Sequence, residues 1–258
     1  MIHNINPIFI SLGDFHIYWY GVMYLIAFLL AWYLGKFYIK KNIIKINSDE
    51  FSDLLFYGFI GVLVGGRLGY SIFYNLVYTI ENPITIFYIW NGGMSFHGGF
   101  VGVLISIVYF CKRNKIAFFE VSDFIVRLVP IGLFTGRIGN YINGELWGKP
   151  TDSFLGVIFT KIDNIPRHPT QIYEALSYFI ISAILIYTYK KSKNKKFNGI
   201  LFGVFLILLF LARFIIEFFK ENQVAFENQM TLNMGQWLSL PFIIAGILLI
   251  ILQRKPSA

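Results

Sequence analysis

Long apolar runs alternate with short polar ones along this chain, and the runs set the expected elements. Spanning a bilayer takes about 20 mostly apolar residues. Seven stretches come near that length, roughly 17–38, 51–75, 96–112, 122–142, 170–190, 198–219 and 235–253. They are continuous rather than alternating, so they do not read as barrel strands, and in lipid the backbone must be satisfied within each segment, which predicts α-helices. The expectation is an all-α, polytopic membrane protein of about seven transmembrane helices, forming a single integral membrane domain over 1–258.

The polar connections carry the orientation. Lys36, Lys40, Lys41, Lys45, Lys112, Arg113, Lys115, Lys190, Lys191, Lys193, Lys195, Lys196, Arg254 and Lys255 all fall on one side of the spans, whereas the other side holds only Lys149, Lys161, Arg167 and Lys220. Lys and Arg accumulate in cytoplasmic loops, so the N-terminus is expected outside and the C-terminus in the cytoplasm. Two outer connections, about 76–95 and 143–169, are long and rich in Asn, Gly, Pro and aromatic residues. An active-site region is therefore expected near the outer leaflet, built from helix ends and these loops.

Composition sharpens this picture. With 56% hydrophobic and 14% charged residues, too little polar surface exists to coat a soluble globule. The net charge of +8 resides in the inner loops, so it reads as membrane topology and not as a nucleic-acid surface. The one cysteine, Cys111, excludes an internal disulfide framework and a CxxC pair. No Lys or Arg precedes the first apolar stretch, so no cleaved signal peptide is expected. The chain has no HExxH, no GxSxG, no Walker loop and no Cys/His cluster with metal spacing, so neither metal nor cofactor is expected.

The four remaining basic residues, Arg67, Arg127, Arg137 and Arg213, lie inside predicted spans, where each costs about 2.5–3.5 kcal/mol on insertion scales. Arg127 is near an inner end, from which it is expected to snorkel to the cytoplasmic interface. At a rise of 1.5 Å per residue, Arg67, Arg137 and Arg213 all stop on the order of 10 Å inside an outer helix end. Few acidic partners are in reach: Glu217 lies one turn after Arg213, and Glu145 follows Arg137 at its helix end. Either the three are structural ion pairs, or the missing counter-charge is a phospholipid phosphate, which suits the two-point geometry of a guanidinium. Pairing of all three with protein carboxylates would argue for the first.

Other residues at the same depth add chemistry. His97, in the glycine-rich stretch 90–99, begins the third span as either a packed polar residue or a group that exchanges a proton near neutral pH. Arg137, Asn140 and Gly144 share one helical face, continuing a polar stripe into the outer loop. Gln171 and Glu174 share a face after Pro169, as capping or as part of a site. Trp19, Tyr20 and Tyr24 open the first span, where aromatic residues are usually interfacial anchors. Gly66-Arg67-Leu68-Gly69 is echoed by Gly136-Arg137-Ile138-Gly139, as a weak repeat or as two small-residue helix contacts.

At these residues the sequence resembles the bacterial prolipoprotein diacylglyceryl transferase family, whose signature G-R-x-G-N-[FY]-x-N-x-E-x-x-G is met from Gly136 to Gly148. Trp19-Tyr20-Gly21, Gly65-Gly66-Arg67, Ser95-Phe96-His97-Gly98-Gly99, Arg167-His168-Pro169 with Gln171, Tyr173 and Glu174, and Arg213-Phe214 with Glu217-Phe218-Phe219 extend the resemblance over nearly the whole chain. It implies transfer of the diacylglyceryl group from phosphatidylglycerol to the lipobox cysteine in the signal peptide of a preprolipoprotein, with release of glycerol 1-phosphate, in the bacterial inner membrane. His97, Arg137 and Arg213 are then the expected catalytic residues. Tyr20, Arg67, Gly98, Asn140, Asn143, Glu145, Gly148 and Glu217 are expected, together with Arg137, to bind substrate. The competing class is a transporter or channel for an anionic substrate, which predicts polar residues at several depths; here they concentrate in the outer third.

Overall fold

The computed structural model describes all residues except 14, 89–91, 192–197, 223 and 255–258. Trp90 and Asn91 of the glycine-rich stretch, and Lys193, Lys195, Lys196 and Lys255 of the basic set, thus lie outside the described residues. Strands β1 (Ile2–His3), β2 (Ile8–Leu12) and β3 (Phe15–Tyr18) precede α1 (Trp19–Lys40), α2 (Ser48–Phe73), α3 (Leu76–Glu81) and a 3-10 turn at Pro83–Phe87. Then come α4 (Phe96–Asn114), α5 (Phe118–Ile125), α6 (Val129–Asn143), β4 (Val157–Phe159), β5 (Pro166–Arg167), α7 (Thr170–Lys191), α8 (Ile200–Ile216) and α9 (Met234–Arg254).

The protein is a polytopic, mostly helical membrane protein. Among the described residues five helices are long and apolar enough to cross a bilayer: α1, α2, α7, the stretch Ile200–Phe219 that α8 begins, and α9. The expected spans 96–112 and 122–142 are helical but fall short of that combination. The second is not one helix: α5 ends at Ile125, residues 126–128 turn, and α6 starts afresh with Pro130 in its first turn, where a missing N–H is harmless.

Side chains are arranged inside out relative to a soluble protein. Leu25, Leu29 and Tyr33 of α1, Phe179 and Ile180 of α7, and Leu248 and Leu252 of α9 are exposed, while Arg67, His97, Glu174, Arg213 and Glu217 are buried. Exposed apolar area at ~25 cal/mol per Å² would be heavily unfavourable in water and is neutral in hydrocarbon.

Contacts divide the chain into two compact units, Met1–Gly35 with Ile125–Ala258, and Lys36–Phe124. In the second unit, α2 begins with a capping box: Asn47 Oδ1 accepts from the N–H of Asp49 and Glu50, both at 2.9 Å, and Glu50 accepts from Asn47 N–H at 2.7 Å. Helix α2 then crosses α4 backbone against backbone. A Cβ on Gly61 would lie 2.5 Å from the Gly102 carbonyl oxygen, and one on Gly69 2.6 Å from Gly98 Cα.

In the first unit, β4 joins β1 in parallel and β5 antiparallel, pairing Ile2 with Ile158 and Val157 with Arg167. Part of the 143–169 connection is therefore folded and tied to the residues ahead of α1. Helices α8 and α9 pack through stacked Phe210 and Phe242, 4.4 Å between centroids, and through Gly203 against Gly246. Arg127 does not snorkel. It is 1% exposed, with its guanidinium 4.3 Å from the centre of the Tyr189 ring, because an aromatic face offers it a partner without water.

The α2–α4 crossing yields a test. Gly102→Ala places a methyl group inside the shell of the Gly61 carbonyl and should destabilise the protein by about 1–3 kcal/mol. Gly58→Ala meets nothing within 4 Å and should be neutral or stabilising by up to about 1 kcal/mol. Unfolding of both variants in detergent checks the difference.

Candidate active site

The site in the first unit starts with the end of α6. Gly144 is left-handed (φ 70°) and closes the helix, its N–H bonding Tyr141 O at 3.0 Å while Glu145 N–H bonds Asn140 O at 2.9 Å. This turn brings the Glu145 carboxylate back over the helix, where Asn140 Nδ2 donates to it at 3.2 Å and Asn143 Nδ2 at 2.9 Å. Arg137 Nη1 in turn donates to Asn140 Oδ1 at 3.0 Å. The stripe expected on α6 is thus a continuous hydrogen-bond relay, and Gln171 Nε2 donates to the Glu145 carbonyl at 2.5 Å at its far end.

The ion partner of Arg137 is not the expected Glu145 but Glu174, one turn into α7, whose carboxylate pairs with Arg137 Nε. The Gly144 turn leaves Asn140 between Arg137 and Glu145. Glu174 is 1% exposed and also takes Arg213 Nη1 at 3.3 Å and Lys220 Nζ at 3.0 Å. Arg213 lies 3.6 Å from Glu217, the partner expected one turn later on α8, and 3.3 Å from the Tyr178 hydroxyl. Glu217 opens a 3-10 turn (Glu217–Phe219) that carries Lys220 back to it, Nζ donating at 3.2 Å. Among the described residues, three cations therefore share two carboxylates in a buried cluster, one positive charge more than the negative. Burying such charges is favourable only when they are densely paired, as here.

Tyr20 belongs to the same unit. Its hydroxyl is 3.0 Å from that of Tyr24, and its ring lies against Gly139, so α1 approaches α6 where α6 lacks a side chain. The small-residue contact explains Gly139 here, and Gly66 and Gly69 in the other unit; a Cβ on Gly136 would meet nothing. Gly148 N–H bonds the His168 carbonyl at 2.8 Å, and the chain at Phe219 and Lys220 runs alongside.

In the second unit, among the described residues, Arg67 has no carboxylate partner in its hydrogen bonds. It donates to four carbonyls, Thr85 and Gly92 at 2.5 Å, Ile86 at 3.1 Å and Gly93 at 3.3 Å, and so holds the connection between α2 and α4 in shape. Gly92 and Gly93 are left-handed (φ 76° and 74°), which glycine permits without strain. Ser95 caps α4, its Oγ accepting Gly98 N–H at 3.2 Å, and places His97, 3% exposed, in the first turn. Gly98 lies in the glycine crossing with α2.

Of the expected residues, Arg137, Asn140, Asn143, Glu145, Arg213 and Glu217 are brought together in the first unit. Tyr20 and Gly148 also belong to that unit, and Arg67, His97 and Gly98 to the second. The sequence set Glu174 beside Gln171 as capping or as part of a site and gave it no ion partner, and it offered Lys220 only as a loop cation. Their signal was a carboxylate deep enough in an apolar helix to need a cation, and a lysine one turn past Glu217.

Outside the helices, Arg167 bridges Asp163 at 2.6 Å and Glu221 at 2.7 Å, and its hydrogen bonds hold the Asp163 carboxyl below the usual carboxylate range. Burial lowers the pKa of His3 and of His168, whose Nδ1 is 3.1 Å from the Tyr173 hydroxyl.

A buried, densely paired charge cluster inside an apolar polytopic scaffold marks an integral membrane protein with charged groups held in its interior. The family model described as prolipoprotein diacylglyceryl transferase matches residues 7–252, and the chain belongs to that family. The phosphatidylglycerol–prolipoprotein diacylglyceryl transferase of Nitrosospira multiformis is 45% identical over 262 residues, covering all of this chain and 90% of that protein. Those of Legionella pneumophila (strain Paris), 45% identical with 95% of each chain covered, and Methylobacillus flagellatus, 44% identical with 99% of each covered, are similarly related.

Two tests follow from this geometry. Glu174→Ala leaves Arg137 without a carboxylate and Arg213 and Lys220 with Glu217 alone, and should cost about 3–5 kcal/mol in detergent unfolding, whereas Glu145→Gln, which keeps most of the relay's shape, should cost about 1 kcal/mol. Burial favours neutral His3 and His168 in the folded protein while histidines of the unfolded chain protonate near pH 6.5, so stability is full above that pH and falls as pH drops below it. Thermal midpoints measured from about pH 8 to pH 5 should fall less steeply for His168→Gln than for the wild type.

Proposed function

We propose that this protein transfers the diacylglyceryl group of phosphatidylglycerol to the lipobox cysteine thiol of preprolipoproteins, in the bacterial inner membrane. The observation that carries the reading is the excess positive charge where Arg137, Arg213 and Lys220 share Glu174 and Glu217; the family membership gives it its substrate.

In the reaction the thiol sulfur attacks the glyceryl carbon bonded to the phosphate oxygen. The C–S bond forms, the C–O bond breaks, and glycerol 1-phosphate leaves with the electron pair. The phosphate gains a second negative charge as this happens, so a fixed cationic cluster binds the transition state more tightly than the singly charged diester of the ground state, which is the requirement for catalysis. Arg137 and Arg213 hold the phosphate. Asn140 and Glu145 fix the Arg137 fork through the relay along α6. His97 takes the thiol proton, a small task because a free thiol ionises near pH 8.5. Arg67 acts by shaping the connection that leads to His97. Tyr20, Gly98, Asn143, Gly148 and Glu217 complete the lipid and signal-peptide surroundings.

The sidedness of the basic residues supports seven crossings, an outer N-terminus and an active site facing the outer leaflet. Pairing of β1 with β4 fits this, since it needs the chain ahead of α1 and the 143–169 connection on the same side.

Purified protein in detergent with phosphatidylglycerol and a lipobox peptide should release glycerol phosphate in step with a diacylglyceryl gain in peptide mass. Arg137→Ala should lower turnover by about 10²–10³. Silence with both substrates present would favour an anion transporter instead, and near-normal turnover in His97→Gln would remove its role as base.

A further inference from the structure

Lys220 is the one cation of the cluster contributed by a turn rather than a membrane-embedded helix position, and no activity expected from the sequence assigned it a part. Its side chain is buried, 6% exposed, and its Nζ donates to both shared carboxylates, 3.0 Å from Glu174 and 3.2 Å from Glu217. Without it the two guanidiniums and the two carboxylates cancel. The excess positive charge therefore comes from Lys220.

The backbone that carries Lys220 is seated against Gly148. The two residues form an antiparallel bridge, and Lys149 N–H donates to the Phe219 carbonyl at 2.8 Å. A Cβ on Gly148 would run into that carbonyl oxygen and lie 2.8 Å from His168 Cβ and from Thr170 Cγ2. Gly148 is not among the positive-φ glycines, so close approach and not backbone conformation is what excludes a side chain there.

We propose that Lys220 is a positioning residue that sets the net charge of the Arg137–Glu174–Arg213–Glu217 cluster for a phosphodiester, and that Gly148 serves as the seat that lets Lys220 reach it. Lys220 acts through its neighbours: by occupying carboxylate oxygens it leaves the arginine forks under-neutralised toward an incoming anion. This rests on the transferase reading.

The test is steady-state kinetics with phosphatidylglycerol in mixed micelles and a lipobox peptide, with thermal midpoints recorded alongside. If the lost unit charge acts on a bound phosphate over a distance on the order of 10 Å at an effective dielectric of about 20, the KM for the lipid rises about ten- to thirtyfold in Lys220→Met. Lys220→Arg, which keeps the charge, should stay within about threefold of wild type. The double variant Lys220→Met/Glu217→Gln returns the cluster to one excess positive charge and should recover most of the lost affinity, a rescue that a merely structural lysine would not show. Gly148→Ala should raise KM as Lys220→Met does; should it unfold instead, the double variant still decides. An unchanged KM in Lys220→Met, or a double variant no better than the single one, overturns the inference while wild-type turnover keeps the transferase reading standing. A wild type that releases no glycerol phosphate overturns that reading, and this inference with it.

Discussion

Glu174 carries one negative charge into an apolar interior and meets three cations there: Arg137 from α6, Arg213 from α8 and Lys220 from the turn that follows. A carboxylate at that depth is tolerable only with partners, and each cation is tolerable only with it, so the ends of three helices are held in register by mutual need. The relay through Asn140 to Glu145 and Asn143 extends the same constraint into the connection beyond α6. A change at this point propagates because the cluster is buried, where a charged group left alone is costly.

Glycine does the complementary work. At the α2–α4 crossing and at Gly139 and Gly148 the chain omits a side chain where another segment must pass, and in a membrane, where apolar surfaces gain nothing by leaving lipid, such close approach is a main source of attraction between helices. Charged groups and glycines thus divide the labour: the first tie segments together by ion pairs, the second set how closely the segments approach. The excess of one positive charge follows from both, since it depends on Gly148 admitting the strand that bears Lys220.

The helical, membrane-spanning character was legible in the apolar runs because lipid enforces helices wherever a chain is long and continuous in hydrophobicity. That Arg137 and Arg213 would need partners inside the protein was legible because a guanidinium in hydrocarbon is strongly unfavourable. The identity of the family was legible in the segment 136–148. The break between α5 and α6 was not, because the apolar run continues through residues that turn. Nor was the burial of Arg127 under Tyr189, which depends on a partner some sixty residues away in the chain.

By itself the sequence determined the solvent, the helices, the family and the side chains that carry charge, since each of these follows from local composition and spacing. Only the tertiary structure decided which carboxylate meets which arginine. Glu145 is near Arg137 in sequence, yet the left-handed turn at Gly144 takes it to Asn140, and Glu174 arrives from another helix to make the ion pair. Coulomb attraction depends on distance in space, and distance in space between separate helices is settled by packing, which no local pattern records.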